Sequence, residues 1–320
     1  MEYRKIPYVD KPVSRILFGT AMSPFLEGGD GSALLDAIYG TGVTAFDTAR
    51  QYEGAEQSLG KWIAKRHIRE RVVILSKCGH PSVTWEKRVN EKEMREDLKE
   101  SLHNLQTNYI DIYLLHRDDP DVEVKEVVEV FNAMHEEGKI GAFGGSNWTH
   151  ERIEEANEYA YKHSMIPFSV SSPNYGLADQ KEDPWGGGCV TISGPAHADA
   201  RKWYEKNKMP VVAYSSLGRG LFSGRLKSEK AAENAAGILD EFALKGYGCP
   251  DNYERLRRCE ELAARKQVSV SQIAMAFIFS QNMNTLAVVS TSSAERMQSN
   301  VDALHVTLSE EEMAYLDLQK

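Results

Sequence analysis

Val43-Thr44-Ala45-Phe46-Asp47, with Tyr52 five residues further on, is a short apolar run that ends on a carboxylate. Three later runs end on other polar groups: Val72 to Ser76 leads into Lys77, Ile110 to Leu115 into His116, and Ile140 to Gly145 into Ser146-Asn147. An apolar run of about four to seven residues is the pattern of a strand buried on both faces, as in a parallel sheet. Polar residues at the ends of successive parallel strands collect at one rim, so these runs predict a sheet and a site together.

Outward from these four, further apolar runs complete a set of eight: Ile16-Phe18, Val43-Phe46, Val72-Leu75, Ile110-Leu115, Ile140-Phe143, Phe168-Val170, Val211-Ala213 and Leu286-Val289. Helical periodicity with charged faces fills the intervals, over Ser32 to Tyr39, Ala55 to Lys65, Glu91 to Leu105, Val124 to Glu137, Glu151 to Lys162, Ala198 to Asn207, Asn252 to Lys266 and Val270 to Gln281, with Ala294 to Ala303 after the last run. Short buried strands alternating with amphipathic helices imply a parallel sheet. Eight such units in 320 residues predict an α/β fold, a closed (β/α)8 TIM barrel, as a single domain over 1–320. Arg4 to Pro7 reads as a strand capping the barrel bottom. In such barrels the site lies at the C-terminal rim, built from the connections that follow the strands. Two of these are long, Pro173 to Asp199 and Gly218 to Pro250, and read as lids or binding loops.

A formal charge of −9 without a basic cluster speaks against a nucleic-acid partner and an anionic membrane surface. The first residues lack the apolar core of a signal peptide, and no stretch reaches the roughly 18 apolar residues of a spanning helix, so a cytoplasmic location is expected. Cys78, Cys189, Cys249 and Cys259 have no metal-binding or dithiol spacing, and Cys78 reads as packing. No apolar stripe marks an oligomer interface.

Taken singly, Asp47 reads as a helix cap, Tyr52 as a packing ring, Lys77 as the partner of a structural carboxylate and His116 as a core histidine. Together they define a mechanism. A Tyr hydroxyl ionises near pH ~10, and a neighbouring ammonium lowers that value. Lys77 would supply the ammonium, Asp47 would hold it, and His116 would donate a hydrogen bond to an oxygen that becomes negative as a carbonyl is reduced.

At this point the chain resembles the aldo-keto reductases. The resemblance rests on Phe46-Asp47-Thr48-Ala49 with Tyr52 and Gly54-Ala55-Glu56, on Ser76-Lys77, Leu114-Leu115-His116 and Gly145-Ser146-Asn147, on Tyr214 to Gly220, and on Ser290 to Asn300. It implies an NAD(P)H-dependent oxidoreductase of carbonyl, alcohol or sugar substrates, with the tetrad Asp47, Tyr52, Lys77 and His116 and with Tyr52 as general acid. It implies that Ser146 and Asn147 hold the nicotinamide carboxamide, that Tyr214 stacks on the nicotinamide, and that Ser215, Leu217, Gly218, Arg219 and Gly220 wrap the pyrophosphate. Gly19 and Thr20, at the end of the first strand, join the cofactor-binding set. Ser172 stands where many relatives have a Gln reaching the carboxamide, so that contact is shortened, water-mediated or missing. Ser290, Thr291, Ser292, Ser293 and Arg296 stand where a cation takes the adenosine 2′-phosphate, with Asn300 at the adenine position; this favours NADP(H), with NAD(H) open. Phe25, Trp85, Trp148 and Trp185 fall in predicted loops and are expected to line the substrate pocket. Two other classes compete: a metal-dependent barrel hydrolase, which needs more convergent ligands, and a nucleotide-sensing regulatory module that keeps the cofactor site but turns over slowly.

Overall fold

The computed structural model describes residues 1–319. Among these, a short antiparallel pair, β1 (Tyr3–Arg4) and β2 (Val13–Ser14), precedes β3 (Ile16–Gly19) and α1 (Ser32–Gly40). Then follow β4 (Ala45–Asp47), α2 (Ala55–Arg66), β5 (Val73–Cys78), α3 (Glu91–Asn104), β6 (Ile110–Leu115), α4 (Val124–Glu136), β7 (Ile140–Ser146), α5 (His150–Lys162) and β8 (Val170–Ser172). The remainder holds α6 (Ala198–Asn207), β9 (Val211–Ala213), α7 (Ala231–Ile238), α8 (Glu241–Tyr247), α9 (Pro250–Lys266), α10 (Val270–Phe279), β10 (Thr285–Val289), α11 (Ala294–Asp302) and α12 (Glu310–Leu316). The strands β3 to β10 form a closed eight-stranded barrel, the (β/α)8 fold.

The chain divides into two compact units, one from Glu2 to Ser172 and one from Pro173 onward with Met1. The division falls at the end of β8, where the long 173–199 connection begins.

In the first unit, β5 is buried at all six positions and β6 likewise, as strands covered on both faces must be. The helices follow their apolar stripes: α4 buries Val124, Val127, Val128, Phe131 and Met134 at helical spacing. Asn90 caps α3 by accepting from Glu93 N–H, and Thr149 caps α5 by accepting from Arg152 N–H. Aromatic rings fill the space beneath. Phe18 meets Phe25 and Phe46 edge-on at 5.7 and 6.4 Å, and Phe131 stacks on Phe143 at 5.3 Å. In the second unit, α10 is buried on nearly every face, and its Ser269–Gln272 capping box satisfies the end a buried helix would leave unpaired.

Several boundaries depart from expectation. β5 and β7 run on through Lys77-Cys78 and Gly145-Ser146, because small or hydrogen-bonded polar residues continue the ladder where hydrophobicity stops. β4 starts at Ala45 rather than Val43, and β8 covers Val170–Ser172 rather than Phe168–Val170. The supposed bottom strand at Arg4 to Pro7 is the pairing of Tyr3–Arg4 with Val13–Ser14. The 218–250 connection is not a bare loop: it carries α7 and α8, which at eight and seven residues are too short to imprint a helical period.

At the N-terminal ends of the strands, Asp111 of β6 is 4% exposed and ties three segments together. It accepts from Ile74 N–H of β5 at 2.9 Å and pairs with Lys11 at 2.6 Å and Arg69 at 2.9 Å. Arg69 lies 3.8 Å over the Tyr109 ring, and Lys11 donates to the Tyr109 hydroxyl at 3.0 Å. Removing a buried carboxylate that serves two cations leaves both uncompensated. Asp111→Ala is therefore expected to lower stability to urea by about 3 kcal/mol, read from the denaturation midpoint at unchanged slope; a loss within a few tenths of a kcal/mol would dismiss the cluster as a structural hub.

Candidate active site

Each strand end of the first unit is tied to its neighbour through the main chain. Thr20 N–H and hydroxyl both donate to the Asp47 carbonyl, at 2.9 and 3.0 Å. Thr48 N–H donates to Leu75 O and Arg50 N–H to Lys77 O; His116 N–H donates to Cys78 O at 2.7 Å, and Asn147 N–H to Ser172 O. These bonds hold Asp47, Lys77, His116 and Ser146-Asn147 at successive strand ends, in the order read from the chain.

Within this frame the Lys77 ammonium donates to Asp47 Oδ1 at 2.6 Å and to the Thr48 carbonyl at 2.9 Å. Both partners are buried. Burial opposes the Lys77 charge, but Asp47 and Tyr52 beside it outweigh that cost, and its pKa is raised. Burial raises the Asp47 carboxyl, and Lys77 works in the opposite sense.

Tyr52 stands on a tight turn, its N–H donating to Ala49 O. Gly54 follows it because a Cβ there would strike the backbone of Gly28. The Lys77 nitrogen is 5.1 Å from the Tyr52 ring centre, and the ring meets His116 edge-on at 5.6 Å. The whole residue is half-buried, while its hydroxyl is enclosed enough for burial to dominate its ionisation. Here the expectation of a lowered tyrosine pKa is corrected: desolvation raises it, and Lys77 offsets only part of the rise. The hydroxyl thus holds its proton at neutral pH. His116 is driven well below the ordinary histidine range by burial first and then by the charge of Lys77, so its ring is neutral.

Ser146 donates to the Ser172 carbonyl at 3.0 Å, and Asn147, in the left-handed region at φ 60°, donates from Nδ2 to the His116 carbonyl at 3.1 Å. Gly19, Thr20, Ser146, Asn147 and Ser172 thus lie at strand ends of the same unit as Asp47, Tyr52, Lys77 and His116.

The other cofactor candidates gather in the second unit. Tyr214 follows β9 directly, its ring 5.9 Å from that of Trp185 and its carbonyl accepting from Asn174 Nδ2. After it, Ser215, Gly218, Arg219 and Gly220 all have positive φ, and the segment folds on itself, Gly218 N–H donating to Ser215 O and Gly220 N–H to Leu217 O. Ser216 Oγ ties this segment to Ala213 O and Val288 O. Arg219 pairs with Asp240 at 2.8 Å and lies over Trp185 and Phe242. Past β10, Arg296 donates to Thr291 Oγ1 at 3.1 Å and to Ser292 Oγ at 2.9 Å, and Ser293 caps α11. A guanidinium braced by two hydroxyls at a helix N-terminus fits a phosphate.

Two aromatic assignments are corrected. Phe25 packs on Phe18 and is fully buried, and Trp148 is folded back beside Gly145 and Phe168, also fully buried. Phe25 lies in the connection between β3 and α1 with its ring against Phe18 and Gly31, and Trp148, two residues past β7, closes over Phe168. Trp85 is 53% exposed and Trp185 half-buried, so these two remain open to a ligand. The structure adds residues the sequence reading passed over. Asp97 of α3 is buried and accepts from Gly79 N–H at 2.9 Å while pairing with Arg50 and Arg88, which braces the segments after β4 and β5. His80 places its ring 4.8 Å from His116, and Arg117 follows His116 directly. Arg117 was visible in the sequence as a cation beside a candidate histidine, whereas Asp97 gives no local signal.

The sequence model described as the aldo/keto reductase family matches residues 15–318. Curated relatives include the putative aryl-alcohol dehydrogenase AAD14 of Saccharomyces cerevisiae, 25% identical over 300 residues that cover 89% of this chain and 75% of that protein. Norsolorinic acid reductase of Aspergillus flavus is 26% identical over 298 residues, covering 89% and 70%. Among solved structures, the thermostable aldo-keto reductase Tm1743 in complex with the inhibitor epalrestat superposes with a TM-score of 0.72 at 23% identity, covering all of both chains. The chain belongs to the aldo/keto reductase family and is an NAD(P)H-dependent oxidoreductase.

The ionisation of Tyr52 gives a direct check of the electrostatics. In alkaline difference spectra taken against Tyr52→Phe, its phenolate absorbance is expected only above pH ~10. Lys77→Met, which removes the one ammonium favouring the phenolate, should move it higher still. An onset shifted downward by Lys77→Met would contradict the arrangement.

Proposed function

We propose that this protein interconverts a carbonyl compound and its alcohol with NADP(H) in preference to NAD(H), and that Tyr52 is the proton donor in reduction. One observation carries the reading: a phenol held protonated by burial lies against a buried Lys77–Asp47 ion pair and a neutral histidine. The nicotinamide cofactor supplies the hydride. Tyr52 gives its proton to the carbonyl oxygen as charge develops there, and Lys77 stabilises the phenolate left behind. Asp47 keeps Lys77 charged and in place. His116, neutral, donates a hydrogen bond to the same oxygen without competing for the proton. In the reverse direction the phenolate removes the alcohol proton, so oxidation is favoured as pH rises.

Ser146 and Asn147 have the polar atoms to orient a carboxamide, with Ser172 engaged through its carbonyl rather than by a long amide side chain. Tyr214 offers a ring for stacking, and the positive-φ segment Ser215 to Gly220, which carries the Arg219 guanidinium, would take the phosphates. Arg296 with Thr291 and Ser292 favours a 2′-phosphate, and buried Asn300 the adenine end. The name of the aryl-alcohol dehydrogenase relative points to an aromatic alcohol and its carbonyl as substrate class, for which half-buried Trp185 and exposed Trp85 supply flat surfaces. Among the described residues no helix is long and apolar enough to cross a membrane.

Tyr52→Phe should reduce turnover about 100-fold or more while leaving the affinity for NADPH, measured by fluorescence titration, within about threefold. Unchanged turnover would remove Tyr52 from the mechanism. In the same titration Arg296→Ala should weaken NADPH by about tenfold or more and NADH far less; equal losses would show that Arg296 does not read the 2′-phosphate.

A further inference from the structure

Arg117 follows His116 at the end of β6 and is only 8% exposed. Its Nε is buried and makes no hydrogen bond, and among the described residues no carboxylate pairs with its guanidinium. Such a group is costly: a buried cation is normally matched by an anion or by a full set of acceptors. The carboxylates at these strand ends are engaged elsewhere. Asp118 pairs with Arg152 at 3.2 Å, Asp119 with Lys87 at 2.6 Å, and Asp47 with Lys77. Asp97 serves Arg50, Arg88 and Gly79 N–H.

Its position matters as much as its lack of a partner. Tyr52, His116 and His80 form a continuous row of ring contacts, at 5.6 Å and then 4.8 Å. His80 is half-buried, its Nδ1 at 2.9 Å from the Pro81 carbonyl, which can only accept. The charge of Arg117 reaches all three rings. Arg117 thus directly follows the histidine at the centre of this row, at the end of the same strand, and its buried Nε is uncommitted.

We propose that the substrate of this site carries an oxyanionic group, a carboxylate or a phosphate ester, in addition to its carbonyl, and that Arg117 binds that group. This rests on the reading of the site as a carbonyl reductase. The guanidinium plane matches two oxygens of either anion, and binding there supplies the counter-charge that the protein itself omits. The anchor also fixes the substrate's orientation, since one end is tied to Arg117 and the carbonyl is left to Tyr52 and His116.

The test uses the full-length protein with NADPH and four aldehydes: 4-formylbenzoate and 4-formylphenyl phosphate as anions, and methyl 4-formylbenzoate and benzaldehyde as neutral counterparts. The wild type should prefer an anion over its neutral counterpart by about tenfold or more in kcat/KM, chiefly through KM. Arg117→Gln should collapse that ratio toward one, whatever its absolute rates, and Arg117→Lys should restore part of it. The two anions identify which oxyanion the site takes. A wild-type ratio near one, or a ratio that Arg117→Gln leaves intact, overturns the proposal and leaves Arg117 as a tuner of its neighbours' charge. A second measurement needs no turnover: benzoate and phenyl phosphate, the non-aldehyde probes, should raise the melting temperature of the wild type but not of Arg117→Gln. Should none of the aldehydes be reduced, the carbonyl-reductase reading falls, and this binding difference still decides whether Arg117 is an anion anchor; equal shifts, or none, would rule it out.

Discussion

The Lys77 ammonium lies where almost no water reaches it, and the rest of the site is arranged around that fact. An isolated ammonium in such surroundings would shed its proton or turn outward. The carboxylate 2.6 Å away on the neighbouring strand and the Thr48 carbonyl keep it charged and motionless. Because β4 and β5 pair in register through Asp47 and Leu75, the ion pair also fixes the height at which the two strands end. A stationary positive charge then sets the chemistry of what surrounds it: the phenol beside it has a place for its electrons to go, and the imidazole beside it cannot become a second cation.

Replacement of the pair by apolar residues would give a barrel of equal or greater stability, since burying two charges is seldom a net gain. Its presence is better understood as a concession to chemistry. Stability comes from the aromatic layers between sheet and helices, while at the other end of the strands the Asp111 cluster, costly to break, joins β5 and β6 to Lys11 and Arg69. The two ends divide the labour, as barrels of this kind commonly do.

How much of this was legible in the chain depended on whether a feature was local. Strands buried on both faces write themselves as apolar runs, so their number, order and direction were readable, and with them the rim to which Asp47, Lys77, His116 and Ser146 belong. Boundaries were less so: β5 continues through Lys77 and Cys78, where the backbone ladder persists after hydrophobicity ends. The shift in Tyr52 ran opposite to expectation because spacing shows which charge is near but not how much protein surrounds the hydroxyl. Phe25 and Trp148 misled because an aromatic residue in a connection reads the same whether it faces a ligand or the core, and only the packing on Phe18 and Phe168 separates the two. Asp97 was invisible, being one acidic residue among several on α3 whose partners come from two other segments, the connections after β4 and β5.

The strand ends of the first unit are joined almost wholly through peptide groups: Thr20 to Asp47, Thr48 to Leu75, His116 to Cys78, Asn147 to Ser172. Peptide groups are the same whatever side chains they carry. The alignment of the candidate site residues is thereby uncoupled from the identity of the residues in the intervening connections, which are free to drift, lengthen or acquire new side chains while the frame keeps its shape. Relatives that share only about a quarter of their residues with this chain carry names pointing to different compounds. A frame of this construction lets a lineage change what it acts on without rebuilding how it acts.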